Sequence, residues 1–155
     1  MIWIILIVAA VVLDQLTKFL ITFNMQLGAQ IPVIDKFFYI TYWRNKGAAW
    51  GIFQNGRLIF IPFTIIAAIV LAYVLVKADN KMLKLSVSLI LAGAVGNLID
   101  RTFHGSVVDF LQFFIGSYEF PVFNVADMSV VIGTGILAVY MLFFQKNKEE
   151  RKIEE

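Results

Sequence analysis

The 155-residue chain has no cysteine, one histidine, three prolines and few charges. Without cysteine there is no disulfide, no thiolate metal site and no cysteine nucleophile, and the redox compartment leaves no trace. With only His104, a multi-histidine metal site cannot be built within one chain. Charged residues make up 15% of the sequence, well under the roughly 25% of soluble domains. Eight of them, Lys146, Lys148, Glu149, Glu150, Arg151, Lys152, Glu154 and Glu155, fall in the last ten positions. The 16 charges left in residues 1–145 cannot cover a water-soluble surface. Hydrophobic residues reach 60%, which excludes a disordered chain or a collagen-like fibre. The net charge of +2, with no long basic block outside the tail, gives no footprint for nucleic acid.

What is present is apolar sequence in lengths that cross a bilayer, which takes roughly 20 residues per helix. The expected architecture is an all-α membrane protein of a single integral domain over residues 1–155. Its spans lie at about 1–23, 58–76, 82–103 and 120–144, its outer loop at about 24–57 and its charged tail at 145–155. The first run has no basic residue before its apolar core, and Asp14 stands where a small-residue cleavage site belongs, so it reads as a retained helix rather than a secretory signal. Basic residues set the orientation. Lys77, Lys81 and Lys84 between spans two and three, with the tail's Lys146, Lys148, Arg151 and Lys152, outweigh Lys36, Arg44, Lys46, Arg57 and Arg101 on the other face. Both termini are expected in the cytoplasm. Ile31–Trp43 is rich in β-branched and aromatic residues and suits one or two short strands. With Trp43 and Trp50 at its ends, it is expected to form an aromatic platform on the outer membrane surface, or a simpler interfacial anchor.

In so apolar a chain the polar residues at membrane depth carry the information, because an ionisable group at the bilayer centre costs about 2.5–3.5 kcal/mol on insertion scales. Asp14, Asp100, Arg101, Asp109 and Asp127 lie in or beside apolar runs, with Asp14 expected in the outer half of span one, Asp100 and Arg101 at the outer end of span three, and Asp127 about two turns into span four from the outer side. Asn97 shares a helix face with Asp100 and Arg101, and Asn124 one with Asp127. Gly93 and Gly96 permit close approach of another backbone. Asp14 and Lys18 form an i,i+4 pair that reads equally as a helix-stabilising ion pair near the interface. The stretch containing Gly116, Ser117 and Pro121 reads as a turn, which would bring Asp109 and Asp127 face to face. Two carboxyl groups in a site of low dielectric share a proton, the state that aspartic proteolysis requires. From spacing alone, such a pair could equally bind a cation or carry protons, so a small transporter and a structural scaffold stay open as rivals. A Lys84–Ser88 dyad is better explained by Lys84 as a topology signal, and His104 as an interfacial side chain.

Five segments, DQLTK (14–18), NKGAAWGIF (45–53), GNLIDR (96–101), VVDF (107–110) and FNVADMS (123–129), together resemble the lipoprotein signal peptidases, the signal peptidase II family of bacterial membrane aspartic peptidases. The order of the segments and the four-span layout match the family over nearly the whole chain. The resemblance implies Asp109 and Asp127 as the catalytic pair and Asn45, Asn97 and Arg101 as residues that position the substrate backbone. It implies supporting roles for Asp14, Lys18, Gly47, Asp100 and Asn124. It further implies removal of the signal peptide from prolipoproteins just before a diacylglyceryl-modified cysteine, no metal or other cofactor, and inhibition by globomycin. The expected partners are that lipidated substrate and membrane lipid, with no obligate protein partner. The expected location is the bacterial cytoplasmic membrane, with the site near the outer leaflet. The sheet-forming outer loop of the family agrees with the platform expected at Ile31–Trp43. Two departures are minor: the N-terminus lacks a basic leader, and Trp50 occupies an aromatic position that is often phenylalanine.

Overall fold

The computed structural model describes residues 1–47 and 57–145. Among these residues, four helices are long and apolar enough to cross a membrane: α1 (Ile2–Asn24), α2 (Arg57–Lys77), α3 (Lys81–His104) and α4 (Val125–Tyr140), the last extended by a π-helical turn, Met141–Gln145. Trp50, most of the NKGAAWGIF segment and the charged tail from Lys146 onward lie outside the described residues.

Helix α3 is the central one, with α1, α2 and α4 all packed on it. It is capped at both ends. The Asn80 side chain accepts hydrogen bonds from the Met82 and Leu83 amides, and Gly105 closes the helix in the left-handed conformation at φ 72°. Small residues set its distance from its neighbours. A Cβ on Gly93 would stand 2.2 Å from the Ala126 carbonyl oxygen on α4, and one on Gly133 of α4 would stand 2.8 Å from the Ser86 carbonyl oxygen. Gly93 thus admits a neighbouring backbone, as its position suggested. The outward faces of α1, α2 and α4 present Ile5, Phe23, Phe63, Ile69 and Val131 unburied, surface suited to lipid rather than water.

A four-stranded antiparallel sheet lies at the bundle end where α1 and α3 finish and α4 begins. Strands β1 (Gln30–Ile34) and β2 (Phe38–Asn45) come from the loop after α1, where strands were expected. Strands β3 (Val107–Ile115) and β4 (Tyr118–Glu119) follow α3 and correct the sequence reading. The segment between Asp109 and Asp127 is a hairpin turning at Gly116 (φ 62°), and only its tip is the expected turn. β3 pairs with β2, setting Trp43 opposite Asp109 and Asn45 opposite Val107. A second correction concerns the fourth span. The helix starts at Val125 and not at Phe120, because Phe123 is extended and bridges Leu111 of β3. The apolar character of 120–124 serves sheet packing: Phe123 stacks on Phe113 and meets Phe120 edge to face. Asp127 therefore sits in the first turn of α4 rather than two turns in.

Candidate active site

Asp109 is carried by β3 and Asp127 by the first turn of α4, and both line one cavity of about 270 Å³. The remaining wall includes Asn45, Val107, the extended segment Phe120–Phe123, Val130 and Val131. A smaller apolar hollow of about 250 Å³, lined by Phe120, Phe123, Met128, Val131 and Ile132, also reaches Asp127.

Asn124 joins the two carboxylates. It is fully buried, and its side-chain oxygen accepts from the Asp127 amide at 2.9 Å while Asp127 Oδ2 accepts from the Asn124 amide at 3.2 Å. This reciprocal cap satisfies amides that every helix N-terminus leaves without intrahelical partners. The Asn124 side-chain nitrogen meanwhile donates to Asp109 Oδ1 at 2.7 Å, and also faces Val108 O at 3.3 Å and Asn97 Oδ1 at 3.2 Å. Each aspartate receives one more amide: Asn45 Nδ2 donates to Asp109 Oδ2 at 3.0 Å, and Asn97 Nδ2 to Asp127 Oδ1 at 2.7 Å. Asn45 and Asn97, expected to position a substrate, thus also hold the acidic pair itself.

Burial pushes the Asp109 carboxyl up to about 7, and the nearby charge of Asp127 pushes the same way. The hydrogen bonds from Asn45 and Asn124, and the charge of Lys18, oppose the rise without cancelling it.

Behind this pair lies a network buried between α1, α3 and the sheet. Lys18 Nζ lies 2.9 Å from Asp14 Oδ2 and 3.1 Å from Asp100 Oδ2, and donates to Asn97 Oδ1 at 2.9 Å. That last bond fixes which way the Asn97 amide points, so its nitrogen faces Asp127. The i,i+4 pair is not an exposed interfacial one, since Asp14 and Lys18 are 1% and 3% accessible. Asp14 Oδ1 accepts from the Ala126 amide at 2.8 Å, tying α1 to the start of α4, and a Cβ on Gly96 would stand 2.6 Å from Asp14 Oδ2. Asp100 Oδ2 accepts from the Val108 amide at 3.0 Å, next to Asp109. Arg101 donates to Gly47 O at 3.2 Å and lies over the Phe60 ring at 5.1 Å, while the Gly47 amide donates to Asn45 Oδ1 at 2.9 Å.

Gln15 was missed as a site residue. Its Nε2 faces Asp14 Oδ2, Asp100 Oδ1 and Gly96 O at 3.1–3.2 Å, knitting α1 to α3. The available signal was its place inside DQLTK beside a membrane-depth aspartate. Ser88 is fully buried with no partner for its hydroxyl among the described residues, so no Lys84–Ser88 bond forms, and His104 is exposed at the end of α3.

The profile of the family described as signal peptidase (SPase) II matches residues 6–143. The lipoprotein signal peptidase of Bacillus pumilus (strain SAFR-032) is 47% identical over 140 residues, covering 89% of this chain and 90% of the relative. That of Geobacillus kaustophilus (strain HTA426) is 46% identical over 138 residues, covering 88% and 90%. Two solved bacterial membrane enzyme structures, obtained by the in meso method at 2.3 and 1.9 Å, are each 41% identical. They superpose with TM-scores of 0.88 and 0.84, the first covering 94% of this chain and 90% of its own, the second 92% and 94%. A matched profile over most of the chain, relatives near half identity and a shared fold together establish that the chain belongs to the signal peptidase II family, and is a membrane protease.

Proposed function

We propose that the protein is an aspartic endopeptidase that removes the signal peptide from diacylglyceryl-modified prolipoproteins, cleaving before the lipidated cysteine with water activated by Asp109 and Asp127. The observation that carries the mechanism is the Asn124 bridge, which bonds Asp109 and caps the helix turn bearing Asp127. It supports two carboxyls held at one cavity and sharing one proton.

In the reaction, the ionised carboxylate takes a proton from water as the oxygen attacks the scissile carbonyl, while the protonated partner gives its proton to the carbonyl oxygen. The tetrahedral diol then collapses. Its C–N bond breaks, the nitrogen leaves with a proton from the first carboxyl, and a diol hydroxyl returns its proton to the second. No redox change occurs and the pair ends as it began. Arg101, with Asn45 and Asn97, positions the substrate backbone.

A diacylglyceryl anchor keeps the scissile bond near the lipid surface. The sheet then lies on the extracytoplasmic side, both termini in the cytoplasm, and the cavity opens near the outer leaflet. The apolar wall of Phe120, Phe123, Val130 and Val131 is suited to such a substrate, and a globomycin-type cyclic peptide would compete for the same cavity.

The test is purified protein in detergent given a diacylglyceryl-modified prolipoprotein, with and without a chelator. Cleavage before the lipidated cysteine, unchanged by chelation, is expected. Loss of cleavage on chelation with recovery on adding metal would refute the carboxylate mechanism.

A further inference from the structure

Consecutive residues of a strand point to opposite faces of its sheet. Asn45 and Asp109 face the active-site cavity, whereas their neighbours Arg44 and Val108 face a second cavity of about 200 Å³. This second cavity is walled by Gln15, Lys18, Phe19 and Thr22 of α1 and by Asp100 and His104 of α3. It runs along the last turns of α1 and α3, from Gln15 and Asp100 up to Thr22 and His104 at the helix ends, where a spanning helix reaches the membrane–water boundary.

The charge on its walls is uneven. Lys18 is met by two carboxylates, Asp14 and Asp100. Both oxygens of Asp100 are held, one by Gln15 and the other by Lys18 and the Val108 amide. Arg44 differs. Its Nε donates to the Tyr42 hydroxyl at 2.8 Å and its guanidinium lies 5.8 Å from that ring, but among the described residues no carboxylate comes within ion-pair distance of it. A half-buried guanidinium without an acidic partner is relieved by an incoming anion. His104 stands on the same wall, and Gln15 and Thr22 add polar groups. Beside the cavity mouth, α1 turns outward a stacked aromatic pair, Phe19 and Phe23, whose centroids are 5.8 Å apart and which are 60% and 76% exposed. Phe103 of α3 is 77% exposed. A recess that offers the Arg44 guanidinium and is flanked by exposed aromatic rings matches a molecule with an anionic head and an acyl tail.

We propose that this second cavity binds the phosphodiester headgroup of an anionic phospholipid, with Arg44 and His104 facing the phosphate and the acyl chains lying along Phe19 and Phe23. The site is separate from the active-site cavity and does not depend on the reading of the reaction. Its occupant packs on Lys18, which holds Asn97, so lipid binding braces the site from behind.

The experiment uses the full chain in detergent micelles, titrated separately with a phosphatidylglycerol, with a phosphatidylcholine of the same chains and with inorganic phosphate. Binding is followed by native mass spectrometry and by melting temperature. Preferential retention of the phosphatidylglycerol is expected, with a rise in melting temperature that neither other probe gives. Arg44→Gln should weaken that binding about tenfold, the effect of losing a charge-assisted hydrogen bond, and Arg44→Lys should retain the preference. His104→Glu, placed at an exposed helix end, should also weaken it and serves if Arg44→Gln fails to fold. Equal binding of the two lipids overturns the proposal, as does an unchanged preference in His104→Glu. Equal protection by inorganic phosphate replaces the lipid with a free-anion site. Because the readout is binding, failure here leaves the assignment of the peptidase reaction standing, and the reverse also holds.

Discussion

The Asn124 side chain donates to Asp109 Oδ1 at 2.7 Å across fifteen positions of chain, and the same side chain caps the helix turn that carries Asp127. One buried amide thereby sets the strand-borne acid relative to the helix-borne one. Asn124→Ala removes the cap and leaves part of the Asp109 carboxylate without a donor. The cap alone is worth about 1 kcal/mol. A lower melting temperature and a fall in kcat of at least about tenfold are expected, with KM less affected, since about 1.4 kcal/mol in the barrier is a factor of ten. Steady-state kinetics beside thermal unfolding checks this, and an unchanged kcat would show that the bridge does not set the geometry.

Asp109→Asn and Asp127→Asn each take one carboxyl from the pair while preserving shape. Each should reduce cleavage by about a thousandfold or more, on the scale of general acid–base catalysis, with the protein still folded and inserted. Measured cleavage of lipidated substrate by each variant, next to its melting curve, decides this. Normal turnover by either variant would remove that residue from the pair.

The pH dependence follows from Asp109, whose carboxyl burial raises to about 7. A group that holds its proton more tightly folded than unfolded contributes stability that is fully present below its unfolded value, near 4. That contribution is lost as pH rises through about 7. The melting temperature should therefore fall between about pH 4 and pH 7, and Asp109→Asn should flatten that slope. If the pair shares one proton as proposed, cleavage should also decline above about pH 7, where Asp109 gives that proton up. A melting temperature that rises over this window in the wild type but not in Asp109→Asn would contradict the sign.

Much of this was legible in the sequence because hydrophobic length and membrane-depth polarity are local signals. Asp14, Lys18, Asn97, Asp100 and Asn124 stand out in apolar runs, and the structure gathers them into one network. The strand β3 was not legible. VVDFLQFFI is as apolar as a span, and its alternation is hidden because Val107–Phe110 are all buried, facing the site on one side and α1 and α3 on the other. For the same reason Phe120–Phe123 reads in the sequence as the start of a helix, whereas in the fold Phe123 is extended and bridges Leu111. Gln15 went unnoticed because a neutral amide next to an aspartate carries no charge signal, although its three partners join α1 to α3.

Gly93 offers a purely steric test. Its absent Cβ is the space taken by the Ala126 carbonyl oxygen, 2.2 Å away, and by Val130 Cγ2 at 2.7 Å. Gly93→Val must move the α4 backbone, because the nearest atom is main chain and cannot swing aside. Overpacking of this kind costs about 1–3 kcal/mol or more. The displacement would act at the first turn of α4, where Asp127 sits, so stability and cleavage should fall together. A melting temperature equal to wild type would mean that α3 and α4 are not in close contact at this point.

Asp14 separates support from chemistry. It holds Lys18 and the Ala126 amide but does not line the active-site cavity. Asp14→Ala leaves a buried ammonium with Asp100 as its remaining carboxylate, and a buried amide without its acceptor. Breaking one half of a buried ion pair costs about 3–5 kcal/mol, so a large drop in melting temperature is expected. At a temperature where the variant is still folded, the rate per folded molecule should fall much less than in Asp109→Asn. The comparison needs the folded fraction at each temperature, from circular dichroism, alongside the cleavage rate. If Asp14→Ala keeps its melting temperature yet loses turnover as fully as the Asp109 variant, Asp14 acts in the reaction and not beneath it.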